Sequence, residues 1–292
     1  MARHHYVPQF LLRNWATHGQ FFAYYWKDAA KKVIENQRAA VASACQIPNL
    51  NSFFGVAKER RDVVETRFFT PIVDTPAADA LGVMLSKGVP ALSEEQRHDW
   101  ARLLVSFGLR TPETLEQLGP ERTREAFAIA EASPKGSSEN EAKVTKAFAQ
   151  SMPTLERNLP RQIAMEMSVD LAHMLPINGM QWWVRRWDRN AILIGDRPLL
   201  TYPRQPRPCG IPLKNRNCLI VLPLSSSTVF FACVNPRTRT KMRGMLLSRL
   251  ATVINDETIW RCATTVYARD DALASFVVPR LEGKAKGTWQ PS

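Results

Sequence analysis

Long apolar runs are missing from this chain of 292 residues. None reaches the roughly eighteen residues that a bilayer-spanning helix needs, so no transmembrane segment is expected. The opening residues lack the charged-then-apolar pattern of a secretory signal. Neither Ala2 after Met1 nor the closing Trp289-Gln290-Pro291-Ser292 carries a lipidation signal. A cytoplasmic protein is the expectation. Cysteine is scarce and unpaired: Cys45, Cys209, Cys218, Cys233 and Cys262 are scattered, odd in number and without a Cys-x-x-Cys spacing. That argues against a zinc ribbon and against a disulfide framework. Familiar catalytic signatures are absent as well. There is no Gly-x-Ser-x-Gly, no Gly-x-x-x-x-Gly-Lys, no His-Glu-x-x-His and no Gly-x-Gly-x-x-Gly. NTPase, zinc-protease and nicotinamide-enzyme readings lose their support.

Acidic residues thin out toward the C-terminus. The formal charge is +12, and from Met180 to Ser292 eighteen Lys and Arg face seven Asp and Glu, leaving the rest nearly neutral. Most of these cations are Arg, whose planar fork suits phosphate and carboxylate. Such a region either gathers a polyanion such as RNA or DNA or is a solvated basic face, and charge alone does not separate the two. The aromatic stretches 21–26 and 181–187 of the chain, with Arg185 and Arg186 beside the second, could stack on single-stranded bases or simply fill a core.

What is present begins almost at the first residue. Arg3-His4-His5-Tyr6-Val7-Pro8-Gln9-Phe10-Leu11-Leu12-Arg13-Asn14-Trp15 is too rich in imidazole, amide and aromatic groups for a loose tail. Neighbouring residues of a strand point to opposite faces, so His4 and His5 serve different surroundings. Pro8 suits the start of a helix, on which Gln9 and Arg13 share a face with His5 just before it. Phe21–Trp26 and Lys32–Ile34 read as a small hairpin turning at Lys27–Ala30. From Lys58 the period becomes helical, with Pro71 as a stop and Thr75-Pro76 as a restart. Ser93-Glu94-Glu95-Gln96 is a capping box, and Thr111-Pro112-Glu113 restarts a helix that Gly119-Pro120 should break. Ala132–Ser138 reads as a linker, followed by helices over 139–151 and 153–175, the second kinked at Pro160. Residues 181–187 and 191–194 read as a hairpin and 196–217 as an extended loop with many prolines. Residues 218–222 and 228–234 read as strands buried on both faces, with a closing helix over 240–268. The sum is an α+β fold: a small N-terminal β-hairpin, a helical middle and a β-rich basic C-terminal third. One domain is expected over 1–292, with sub-regions 1–57, 58–178 and 179–292.

His5 could act as a general acid or base or as a metal ligand, since imidazole titrates near neutrality, or could lock the N-terminus by bonding backbone. Arg13 beside helix N-terminal amides suits phosphate. Glu65 could be a site carboxylate or a surface partner of Arg61. Arg110 ends an apolar helix, where the helix dipole favours a cation anyway. Asp196 follows a buried-looking strand, a common position for a catalytic or metal-binding carboxylate and equally for a turn residue.

The opening His-His-Tyr-Val-Pro-Gln-Phe-Leu-Leu-Arg-Asn-Trp resembles the N-terminal signature of a bacterial family known as domain of unknown function 4238. Val64-Glu65, Leu109-Arg110-Thr111-Pro112, Ile192–Pro198, Leu222-Pro223-Leu224 and Val253-Ile254-Asn255 resemble its later segments, with Gly195 where that family more often has Ser. The resemblance implies no activity. It groups His5, Gln9, Arg13, Glu65, Arg110 and Asp196 as one set drawn from distant parts of the chain. Two readings follow. In the first, a nuclease-like hydrolase acts on a phosphate-containing substrate. His5, Glu65 and Asp196 are catalytic there, the two carboxylates holding a divalent metal or positioning water, and Gln9, Arg13 and Arg110 hold substrate. In the second, a non-catalytic nucleic-acid-binding or regulatory module uses the same polar set as a structural network, with Arg185 and Arg186 on its nucleic-acid surface.

Overall fold

The structure, a computed structural model, describes residues 3–28, 33–132, 139–204 and 211–291. The expected hairpin turn, most of the Ala132–Ser138 linker and the centre of the proline-rich loop lie outside the described residues. Strand β1 (Arg3–His5) leads into a one-turn helix α1 (Gln9–Leu12), which Pro8 opens and which tightens into a 3-10 turn ending at Trp15. β2 (Gln20–Asp28) and β3 (Val33–Ala40) form the expected hairpin. β4 (Gln46–Pro48) returns antiparallel to β1, with His4 opposite Ile47.

In the helical middle, prolines interrupt less than the sequence suggests. A π-helix, Val64–Asp74, passes through Pro71 and runs directly into α2 (Thr75–Ser86), so Thr75 is helical and caps nothing. The wider π turn accommodates a residue that lacks its N–H. Pro76 likewise gives no N–H to Ile72, whose carbonyl accepts from Arg102 Nη1 at 2.9 Å. α3 (Glu94–Phe107) starts at the expected capping box, with both reciprocal bonds between Ser93 and Gln96 formed at 3.1 Å. α4 (Pro112–Ala132) continues through Pro120. α5 (Glu139–Val169) continues through Pro153 and Pro160, and α6 (Leu171–Asn178) follows. The expected breaks are overridden where α4 and α5 meet. A Cβ at Gly119 would stand 2.6 Å from the Glu156 carbonyl, so only glycine allows the crossing.

The C-terminal third holds β5 (Gln181–Arg186), β6 (Ile194–Gly195), β7 (Leu200–Tyr202), β8 (Leu219–Ser225), β9 (Thr228–Cys233), α7 (Pro236–Gly244), α8 (Leu247–Arg261), β10 (Thr265–Ala268) and α9 (Ala274–Lys286). The expected hairpin between 181–187 and 191–194 does not form. β5 pairs with β9 instead, in a sheet ordered β5-β9-β8-β7, and β6 joins β10 in a sheet ordered β3-β2-β10-β6. The reason lies in the crossing segment: the Ala191 and Ile192 amides both donate to the Ser226 carbonyl, at 2.9 and 3.0 Å, carrying the chain past the β8–β9 turn to the other sheet. The single helix expected over 240–268 is two helices and a strand.

One apolar cluster runs from Val7 to Tyr267 and crosses all three sub-regions. Val7, Leu11, Leu12 and Trp15 are fully buried in it, and Trp15 Nε1 donates to the Ile192 carbonyl at 2.8 Å. The aromatics of 181–187 are core: Trp183 stacks on Phe231 with ring centres 5.2 Å apart, and Trp182 meets Phe230 edge-on. They are not free to stack on bases. Burial of each such side chain stabilises by about 1.5–3 kcal/mol. Among the described residues no helix is long and apolar enough to cross a membrane.

Candidate functional site

The β1–β4 pairing sends the two histidines opposite ways. His4 is buried. Its Nδ1 accepts the Asn51 N–H at 2.9 Å, which places the ring proton on Nε2, 3.4 Å from the Asp62 carboxylate. Asp62 also accepts from Ser52 at 2.7 Å, and Asn51 Nδ2 donates to Glu65 at 2.7 Å. His4, Asn51, Asp62 and Glu65 thus tie the first strand to the entrance of the π-helix. Sequence reasoning passed over His4 and Asn51. Alternation showed that the two rings face apart, and nothing local says which of them is inside.

His5 is half-exposed on the other side. The carboxamide nitrogens of Gln9 and Gln46 each lie 3.1 Å from its Nε2, and the Ala42 carbonyl lies 3.2 Å from the same atom. Burial lowers the imidazole below its ordinary value, while the Ala42 carbonyl and the Glu65 charge pull the other way. The ring is therefore neutral at pH 7. Arg13, exposed one turn beyond Gln9, donates to Gln9 Oε1 at 3.4 Å, in the spacing expected for one helix face.

Arg110 is buried and donates to Asp74 at 2.9 Å. Its guanidinium lies 5.3 Å from the rings of both Phe69 and Phe107. Burial pushes the Asp74 carboxyl up, Arg110 pulls it back and Glu65 adds to the rise. His5, Gln9, Arg13 and Glu65 thus share one neighbourhood, and Arg110 joins it only through Asp74.

Asp196 belongs to a different cluster. Its carboxylate accepts the N–H groups of Ala263, Thr264 and Thr265 at 2.7, 2.6 and 3.0 Å and the Thr264 hydroxyl at 2.8 Å. Four donors saturate it, and its work is to shape the turn from α8 into β10. Asn255 acts similarly nearby, accepting from the Leu193 N–H at 2.9 Å and donating to the Ala191 carbonyl at 2.7 Å. Among the described residues, no group of three or more His, Cys, Asp or Glu side chains is arranged to hold a metal ion.

Arg185 and Arg186, expected on a nucleic-acid surface, are spent on helix ends. Arg185 donates to the carbonyls of Met242, Arg243 and Met245 at the end of α7. Arg186 donates to those of Met84 and Leu85 at the end of α2, at 3.0 and 2.6 Å. Carbonyls in a last helical turn lack intrahelical donors and attract a cation.

The free positive charge lies elsewhere. From Arg197 to Asn255 the sequence has ten Lys and Arg and no Asp or Glu. Arg197 and Arg204 are neutralised from outside, by Glu113 at 2.6 Å and Glu257 at 2.8 Å. α7 carries Arg237, Arg239, Lys241 and Arg243 and has no buried residue. Its N-cap Asn235 donates to Asn217 at 2.8 Å, which brings the turn bearing Lys214 and Arg216 to the same end of the β5–β7 sheet. Among the described residues none of these six cations is paired with a carboxylate. A family model described as protein of unknown function (DUF4238) matches residues 3–272. No curated protein and no solved structure matches the chain.

Proposed function

The chain belongs to the DUF4238 family, and from its geometry we propose that it binds a polyanion, nucleic acid first of all, on the face formed by α7 and the Lys214–Arg216 turn. One observation carries the reading: α7 and the Lys214–Arg216 turn present six cations, and among the described residues none of them is paired with a carboxylate. Each neutralised phosphate releases a condensed counterion, so affinity falls steeply with salt. The polar set around His4 and His5 serves, in this reading, to hold the first strand on the helical middle.

The test is fluorescence anisotropy of labelled single- and double-stranded RNA and DNA against salt. Binding should weaken linearly in log–log form. On a duplex the Arg237→Gln/Lys241→Gln variant should lower the slope by about 0.9 for each phosphate left without its cation, and by less on a single strand. Salt-independent binding, or a variant that binds as the parent does, contradicts the reading. Arg185→Ala and Arg186→Ala are unsuitable probes, because both unseat helix ends.

A second reading, a nuclease-like hydrolase of phosphate-containing substrates, is favoured by a neutral, half-exposed His5 within the field of Glu65. In it His5 moves the proton and Arg13 meets phosphate. Asp196, fully bonded, has no part there. Cleavage of a labelled oligonucleotide, with and without divalent metal, decides it: a rate lost in His5→Gln with melting unchanged supports it. No cleavage under either condition removes it.

A further inference from the structure

A cleft of about 380 Å3 opens between the loop after β4, the first turns of α4 and the middle of α5. Two guanidiniums one helical turn apart on α5, those of Arg157 and Arg161, converge there on Phe54, lying 4.6 and 5.2 Å from its ring centre. Asn158, between them, fixes the Phe54 backbone from both sides: its Oδ1 accepts the Phe54 N–H at 2.8 Å and its Nδ2 donates to the Phe54 carbonyl at 2.8 Å. Gly119 sets how closely α4 approaches α5 here. The cleft is therefore built from three separate elements held by specific contacts.

Among the described residues no carboxylate pairs with either arginine, and Arg161 Nη1 turns back to the Arg157 carbonyl of its own helix. Arg161 Nε is buried and meets no acceptor among the described residues. Burial, and the Arg157 charge beside it, push the Arg161 guanidinium down to about 10. Glu116 and Glu156 line the cleft, yet neither pairs with either arginine. Like charges at this spacing repel, and desolvating one adds to the cost. Attraction to the Phe54 ring offsets only part of this. The remaining walls include the apolar Pro48, Leu115 and Pro120.

We propose that this cleft binds a compact organic anion with a flat apolar body, of nucleoside-monophosphate size, its charged group on Arg157 and Arg161 and its body against Pro48, Leu115 and Pro120. A volume of this order suits a small organic molecule and exceeds the needs of a bare inorganic anion. The site is separate from the basic face on α7 and does not depend on it.

Titration calorimetry of the full chain with the four nucleoside 5′-monophosphates, phenyl phosphate, inorganic phosphate and adenosine tests it. At least one organic phosphate should bind, with inorganic phosphate and adenosine each at least tenfold weaker. Arg161→Gln should weaken that ligand at least tenfold with melting unchanged, and Arg237→Gln/Lys241→Gln should leave it unaltered. If Arg161→Gln unfolds the chain, Arg157→Gln, at an exposed position, decides the same point. No heat from any organic phosphate overturns the proposal, as does an affinity indifferent to both arginines. Inorganic phosphate binding as tightly as the best organic ligand overturns the flat-body assignment.

Discussion

Removing the Arg110 guanidinium, which lies between the Phe69 and Phe107 rings, leaves the largely buried Asp74 carboxylate without its partner, and the resulting loss is set by that unpaired charge. Arg110→Ala should cost about 3–5 kcal/mol in denaturant unfolding, whereas Arg110→Met with Asp74→Leu should recover most of it. Equal losses in the single and double variants would show that the pair is not coupled. His5 gives a second residue-level expectation. Its imidazole is held below its ordinary value by burial, so the unfolded chain takes up the proton first as pH falls. Stability then declines below about pH 6.5, where unfolded histidine titrates, and is indifferent to this group above it. Melting temperature against pH should therefore slope more steeply for the parent than for His5→Gln over that acidic range. Parallel curves would exclude the linkage. Local chemistry was readable for both histidines, since strand alternation predicts that they face apart. The partners were not: Asp62, Asn51 and Asp74 become neighbours only through folding.

Among the elements, those governed by nearest neighbours were legible and those governed by distant ones were not. The Ser93–Gln96 box and the apolar runs of β8 and β9 declare themselves within a few residues. Pro71 and Gly119-Pro120 were read as stops, and Pro153 as the start of a new helix, because a proline removes a hydrogen bond. The π turn and the α4–α5 contact override that local loss. β10 is only four residues long and sits at the centre of a sheet, so its partners β2 and β6 define it more than its own composition does. Arg185 and Arg186 looked like surface charge because helix-end carbonyls from residues 84–85 and 242–245 are invisible in a linear reading. Arg186→Ala should accordingly cost about 1–2 kcal/mol, through fraying at the end of α2 that hydrogen exchange at residues 82–88 would register. Asp196→Asn presents an amide N–H₂ to a nest of backbone donors. A loss on the order of 2–3 kcal/mol is expected, with the turn from α8 to β10 exchanging faster. Wild-type exchange there would refute that role.

For the molecule as a whole, a core that includes Val7 and Trp15 as well as Phe231 and Tyr267 implies unfolding in one step. Calorimetry should give a single transition whose van't Hoff and calorimetric enthalpies agree; two separable transitions would mean that the three sub-regions are independent. The sequence conveyed the α+β class, the charge imbalance and the importance of the opening stretch. It did not convey where the free charge ends up, because that depends on which arginines the fold itself consumes.

Trp15 donates to Ile192, 177 residues further along the chain. A growing polypeptide made at about 5–20 residues per second therefore exposes its first anchor for on the order of ten seconds or more before the acceptor has been synthesised. Throughout that interval Val7, Leu11, Leu12 and Trp15 form an apolar handle at the ribosome exit, and a nascent-chain chaperone has a ready place to hold.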